Sequence, residues 1–591
     1  KKAEAAASDG AAKVGWQRTA AGSTASTVSQ WLQRQTISIF EFMTEAQVAD
    51  VKAKTALLDV TDAVKKAFAA GPVKVYDGIY LLSDSLMANY SVETDGTWPT
   101  FKFVLSTAPT VDGALLFANG DLDVIGLTFD AANADKAEHG LLVEASYYTG
   151  NRTTTYDVRV NGLRNSDNTK PCRGLLYRVA SNATRTSVKS RIHAVIDGVT
   201  ATANGIVGDS AGSGVGVLVS INKAGMTNDF EILADVTKVR PAEDGDGINV
   251  FDVDYLNAAS KSSYRITHAT VKDSSKRGIK TIAPNCIISE PVVDCDSTSA
   301  ATSSIGIDCY GVNNSVLNPT VSATHDTDLI CGRAAGFELV NPTLNAAGLG
   351  FPIRIEGAAT FSVLDGQITS TASYGGANAG AIYVATGSSG HIRAPHCNNS
   401  NSTGSVVALQ SLGANDTVTI DISKRSKAAS LVYARSCVGR VDIQNAVGDC
   451  SANVIDLSSC NDARIYRIAA KTTGLWAVSA PLTSLKMVGS GEISGMTLGG
   501  VTAPATVVGD GVQVVSGDWR LIGNGATVGV DVTGAANPEV VGVYTEGFVT
   551  HIKYNATTKA VIGNNRGRGA GTHLSSAGAT GAVTYNNNLI P

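Results

Sequence analysis

GIDCYGV (306–312), LICGRAA (329–335) and PIRIEGA (352–358) follow one another at an even step of some two dozen positions. They share one pattern, a small or apolar residue leading into alternating apolar positions. The pattern continues in both directions. GINVFDV starts at Gly247, GIKTIAP at Gly278, AIYVATG at Ala381, VVALQSL at Val406, LVYARSC at Leu431, VIDLSSC at Val454 and LWAVSAP at Leu475. The step between successive starts stays close to that value, and GLLVEAS (Gly140) and GLLYRVA (Gly174) read as earlier copies. A second marker advances in the same rhythm: NPTV at Asn318, NPTL at Asn341 and DGQI at Asp365. Such a step is too short for a βαβ crossover, and for a propeller blade of about 40 residues. It fits one coil of a parallel β-solenoid, whose strands pair with those of the next coil about 4.8 Å along the axis. Ile248, Ile279, Ile307, Ile330, Ile353, Ile382, Val407, Val432 and Ile455 are then expected to stack inward as one apolar column.

Composition agrees with an all-β fold. Of the 591 residues 17% are charged and 6% aromatic, and there are 61 Gly. This excludes a coiled coil and a disordered chain. A net charge of −5 supplies no basic field for nucleic acid. No run of 18 apolar residues exists, so no membrane insertion is expected. Nine Cys, none in a CxxC pair, sit mostly in apolar runs and are expected reduced and buried. The eight His lack metal-ligand spacing, and no cofactor or metal is expected. The clusters EDGDG (243–247) and His325/Asp326/Asp328 read as polar turns, with cation binding or acid–base chemistry as the alternatives.

Three regions are expected. Residues 1–72 form a neck with two amphipathic helices, TEAQVADVKAK (44–54) and DVTDAVKKAFAA (59–70), the second stopped by Gly71-Pro72. Residues 73–500 form the solenoid, opened by VKVYDGIYLL (73–82) as a hairpin turning at Asp77-Gly78. Residues 501–591 form a smaller β domain, since RLIGNG (520–525) and AVIGNN (560–565) recur at a much longer step. That domain is expected to serve trimerisation or carbohydrate binding.

The stretch from WQRTAAGS through TISIFEF (36–42) and Asp59-x-Thr61 to VKVYDGIYLL resembles the neck and β-helix entrance of bacteriophage tailspikes. It departs from the commoner entrance, which has a Gly-Asp-Gly run where Ala53–Leu58 stands. The resemblance implies a right-handed parallel β-helix of the pectate-lyase type and a homotrimer. It implies attachment to the phage tail through an upstream segment, and the opening at Lys1 is expected to follow its loss. It also implies action at the bacterial surface on capsular or O-antigen polysaccharide.

If the column faces inward, the residues after it face out. Lys280, Asp308, Tyr310, Arg333, Arg354, Glu356 and Tyr383 then concentrate charge and aromatic rings on one face. Glycoside hydrolysis needs two carboxylates, one to donate a proton and one to activate water or attack. Asp308 and Glu356 are the expected pair, with Arg333 and Arg354 as substrate or carboxylate partners and Tyr310 and Tyr383 as stacking platforms. Alternatively, Arg354 and Glu356 form only an ion pair along one strand. A lyase would use Lys280, Arg333 or Arg354 to neutralise a uronate and Tyr310 as base. A glycan-binding adhesin would need no chemistry at all.

Overall fold

The computed structural model describes residues 15–16, 26–27 and 36–586, apart from 148–151, 168, 203–212, 241–244, 296–303, 326, 349, 358–359, 372–379, 394, 475, 481–482, 484, 496–505, 509–511, 534–537, 555–558, 570–571 and 577–581. The chain divides into an N-terminal unit (1–255 with 259–283) and a C-terminal unit (256–258 with 284–591).

The N-terminal unit opens with both expected helices, Glu45–Ala53 and Thr61–Ala70. Thr44 and Gln47 make a reciprocal capping box at the first, which ends on Lys54 in the left-handed region. The Asp-x-Thr motif has a local purpose. Asp59 accepts from the Thr61 N–H at 2.8 Å, and Thr61 Oγ1 accepts from the Ser83 N–H at 2.8 Å. This ties the second helix to the first coil. TISIFEF is mostly not a strand: only Ile37–Ser38 is extended, and Ile39–Phe42 is a 3-10 turn.

The expected hairpin at Asp77-Gly78 is absent. Val73–Val75 pairs in parallel with Val92–Thr94, and Ile79–Leu82 with Thr100–Val104. The turn is a bend within one coil, so each flanking strand finds its partner one coil later. Gly78 is required there, because a Cβ would lie 2.4 Å from Val51 Cγ1. In this unit Leu86, Leu116, Leu141, Leu175, Val217, Ile248 and Ile279 are in register from coil to coil, and all are fully buried.

The C-terminal unit repeats a three-strand coil. Ser304–Cys309, Ser315–Leu317 and Thr320–Ala323 pair with Thr327–Gly332, Phe337–Val340 and Thr343–Ala346. The third coil contributes Ile353–Ile355, Phe361–Leu364 and Gln367–Ser370. Ile307, Ile330, Ile353, Ile382, Val407, Val432 and Ile455 stack in register, as expected, and the column continues to Val478. The second marker is the corner between the second and third strands. Asn318, Asn341 and Asp365 hold φ of 49°, 48° and 56°. Asn and Asp tolerate this left-handed conformation better than most residues. The Asn341 amide also donates to Asn318 Oδ1 at 3.1 Å, so the corners are bonded to one another.

Each first strand carries a phase break that strict alternation conceals. The residue before the column member is buried as well: Leu329, Ala381, Val406, Leu431 and Val454 are all inaccessible. At Gly306 a Cβ would meet Leu329 O at 2.5 Å and Val321 Cγ1 at 2.7 Å. Two consecutive residues therefore face inward, and positions upstream of the doublet have the opposite parity from those downstream.

In the region expected to form a smaller β domain, the described strands continue the parallel pairing. Val515 pairs in parallel with Val540, and Val540 with Ile562, so each pass is again about as long as the coils before it. RLIGNG and AVIGNN occupy different places in the coil: Leu521 is in register with Thr545, and Ile562 with Val540. All nine Cys are buried, as expected, and none is in a disulfide. Among the described residues no helix is long and apolar enough to cross a membrane.

Three interior His make stability depend on pH. Burial, reinforced by the positive charge of Arg173, holds His139 well below the ordinary imidazole value. Burial also lowers His551, and burial together with His551 lowers His573. Neutral rings are thus favoured in the folded state, whereas unfolded His titrates near about 6.5. The stabilisation is full above that value and is lost as pH falls toward the depressed folded values. The melting temperature is expected to drop between about pH 7 and pH 5, and His139→Leu is expected to flatten that dependence.

Candidate functional site

The outer face of the first strands differs between the units. In the N-terminal unit the positions after the column are Phe117, Leu142, Leu176 and Leu218, an apolar row with Val111 and Ala114 packed on it. In the C-terminal unit the same row reads Asp308, Cys331, Arg354 and Tyr383. Tyr310, Arg333 and Glu356 follow two residues further along their strands. Backbone bonds hold that second row: Arg333 N–H donates to Cys309 O at 2.9 Å and Glu356 N–H to Gly332 O at 3.0 Å.

These side chains form one ionic network. Arg333 Nε donates to Asp308 Oδ1 at 2.7 Å, and its Nη1 to Glu356 Oε2 at 2.9 Å. Arg354 Nε donates to Glu356 Oε1 at 2.7 Å, and its Nη1 to Asp328 Oδ2 at 3.0 Å. Asp328 Oδ1 in turn accepts from the Phe351 N–H at 2.8 Å. Three carboxylates from consecutive coils are therefore laced by two guanidiniums. Burial opposes the charge on Arg333, but the Asp308 carboxylate outweighs it and raises its pKa. Arg354 follows the same logic, with burial outweighed by Asp328 and Glu356. Both remain cations at any working pH.

The aromatic residues border this network. The Arg333 guanidinium lies 5.0 Å from the Tyr310 ring centroid. Phe351 stacks on Tyr383 at 4.6 Å and 21°, with Arg354 5.8 Å from the Phe351 centroid. Tyr383 donates through its hydroxyl to Gln410 Oε1 at 2.7 Å.

Five of the expected residues, Asp308, Tyr310, Arg333, Arg354 and Glu356, meet here, and Tyr383 joins them through Phe351. The expected ion pair along one strand, Arg354 with Glu356, is present. Lys280 belongs to the N-terminal unit, where it stands in register with Asn249. The expectation of a solvent-facing Asp308 is corrected: it is fully buried, with Arg333 bonded to its carboxylate. Two carboxylates stay in reach of solvent, Glu356 with its side chain 28% exposed and Asp328 at 13%.

Asp328 escaped the alternation count because it lies upstream of the inward doublet Leu329-Ile330. Counted from Ile330 its parity is inward, and the phase break turns it out. The doublet itself was the available signal. His325 is exposed, and Asp326 lies outside the described residues. In EDGDG, residues 243–244 lie outside the described residues, and Asp246 is buried against Asn249 and Arg277. Among the described residues no group of three or more His, Cys, Asp and Glu is arranged to hold a metal.

No family model and no curated protein matches the chain. Among solved structures, the Dettilon tailspike protein is similar over 69% of this chain and 70% of its own, at 12% identity and a TM-score of 0.36. PfbA, a surface adhesin of Streptococcus pneumoniae, is similar over 79% and 93%, at 10% identity and 0.30. The pre-mature bacteriophage phi29 gene product 12 is similar over 95% and 74%, at 12% identity and 0.29. The assignment of the fold rests on the strand registers themselves.

Proposed function

We propose that the chain is a phage spike protein that binds and depolymerises a bacterial surface polysaccharide by endo-acting hydrolysis, as a homotrimer carried on the phage tail. One observation supports the chemistry above the others. Arg354 holds Asp328 and Glu356, supplied by adjacent coils, side by side on the outer face with both partly open to solvent. The two carboxylates lie within roughly 8 Å of each other, the span of one guanidinium and its hydrogen bonds, which admits the separations used in glycoside hydrolysis. One delivers a proton to the leaving oxygen and the other activates water. Asp308, being buried, is a positioning residue that orients Arg333.

Both carboxylates are occupied by guanidinium before substrate arrives. An acidic sugar that takes Arg354 to its own carboxylate releases Asp328 from its guanidinium and leaves Glu356 with Arg333 alone, so the reading favours an acidic polysaccharide. The lyase reading uses the same arginines to neutralise a uronate, and their existing pairing to carboxylates weighs against it. The adhesin reading draws on that same closed pairing. Incubation with capsule or O-antigen extracts separates the three. Hydrolysis gives new reducing ends without ultraviolet absorbance from an unsaturated uronate. Elimination gives both signals, and retained binding with neither marks an adhesin; either result overturns the hydrolase.

A further inference from the structure

A cleft of about 590 Å³ runs along the second strands of the C-terminal unit, and nothing in the chemistry above uses it. Its volume lies within the usual range for small-molecule sites, about 300–1,000 Å³. The register explains its lining. Ser315, Glu338, Ser362, His391 and Thr419 are neighbours on consecutive strands and project outward in one row. Phe337 and Phe361, on the opposite parity, are buried and form the apolar part of the wall. Gly336, at φ +77°, and Gly390, in register with Phe361, also line the cleft. A Cβ there would come within 2.5 Å of Asn313 Oδ1 and 2.1 Å of Phe361 O respectively, so neither position has room for a side chain.

The chemistry of this row is specific. It offers hydroxyls, one carboxylate and one imidazole, and among the described residues no Lys or Arg lines the cleft. Ser315 Oγ donates to Glu338 Oε2 at 3.1 Å, which turns that carboxylate into an oriented acceptor. Glu338 and His391 are two coils apart, with Ser362 between them, so their backbones stand about 10 Å from each other. A carboxylate accepts paired hydroxyl protons, and an imidazole and hydroxyls both donate and accept. An anionic ligand would meet Glu338 without a compensating cation from the cleft wall. We infer that this cleft is a second saccharide site, for a neutral sugar unit anchored between Glu338 and His391. The inference rests on reading the chain as a glycan-handling protein, but not on the Arg354 chemistry.

Saturation-transfer NMR on the intact chain tests it, with glucose, galactose, N-acetylglucosamine and galacturonate as probes. Transfer is expected to at least one neutral sugar. The Glu338→Ala/His391→Ala double variant is expected to weaken it by about tenfold or more, the loss of at least one hydrogen bond. Ser362→Tyr, which fills the middle of the row from an outward position, is expected to do the same. Transfer to galacturonate alone, to no sugar, or undiminished in both cleft variants would overturn the site. Lost sugar binding with polysaccharide cleavage intact is expected if the sites are independent. Intact sugar binding without any cleavage would sink the hydrolase reading and leave the cleft standing.

Discussion

Replacing Glu356 with Gln or Asp328 with Asn is expected to slow polysaccharide cleavage by about 10²–10⁴-fold each, the usual cost of losing a general acid or base. Both changes preserve side-chain volume and keep one acceptor oxygen for Arg354, with the new amide nitrogen toward Arg333 in the first and the Phe351 N–H in the second. Both positions are partly solvent-exposed, so folding is expected to be unaffected. Reducing-end release against time, on a polysaccharide the wild type cleaves, measures the loss. Because the two carboxylates share Arg354, the double variant is expected to be hardly slower than the worse single one. Full activity in either single variant would remove that residue from the chemistry.

The second large effect concerns stability. Asp308 is fully buried, and Arg333 is only 22% exposed at its side chain. Arg333→Ala leaves that carboxylate in the interior without its guanidinium. Removing one partner of a buried pair typically costs about 3–5 kcal/mol. The Asp308→Asn/Arg333→Ala double variant no longer buries the charge and is expected to recover most of the loss. Denaturant or thermal unfolding of the wild type, both single variants and the double variant checks this. Equal destabilisation in Arg333→Ala and the double variant would show that the pair carries no such coupling.

Much of the fold was legible because a solenoid repeats its own constraints. A coil that buries one apolar column must place an apolar residue at each pass, so Ile307, Ile330 and Ile353 announce the step. The Asn-Pro corners repeat it because a left-handed residue is needed wherever the chain turns between the second and third strands. The errors have the same origin. Asp77-Gly78 reads as a hairpin because the local signal cannot distinguish a turn between paired strands from a bend inside a coil. Residues 501–591 read as a separate region because RLIGNG and AVIGNN look alike in sequence although they stand at different places in the coil.

The site was legible in its members but not in its roles. Charge gathered on one face of a charge-poor chain singled out Arg333, Arg354 and Glu356. Which carboxylate reaches solvent depends on two features that simple alternation does not carry. The inward doublet turns Asp328 outward, and Asp308, although on the outer row, is buried with Arg333 bonded to it. The cleft over Glu338 and His391 was missed because neutral hydroxyl-bearing residues raise no signal until the register lines them up.

Coil stacking delivers Asp328 and Glu356 to one point on the outer face, and cleavage is expected there. A crystal structure of the Glu356→Gln variant, soaked with an oligosaccharide cut from its own polysaccharide, tests it most directly. A glycosidic oxygen is expected within hydrogen-bond distance of the new amide at position 356, with Asp328 on the same linkage and an acidic group of the sugar on Arg354. An oligosaccharide lodged elsewhere, with Arg354 still bridging Asp328 and the substituted side chain, would contradict it.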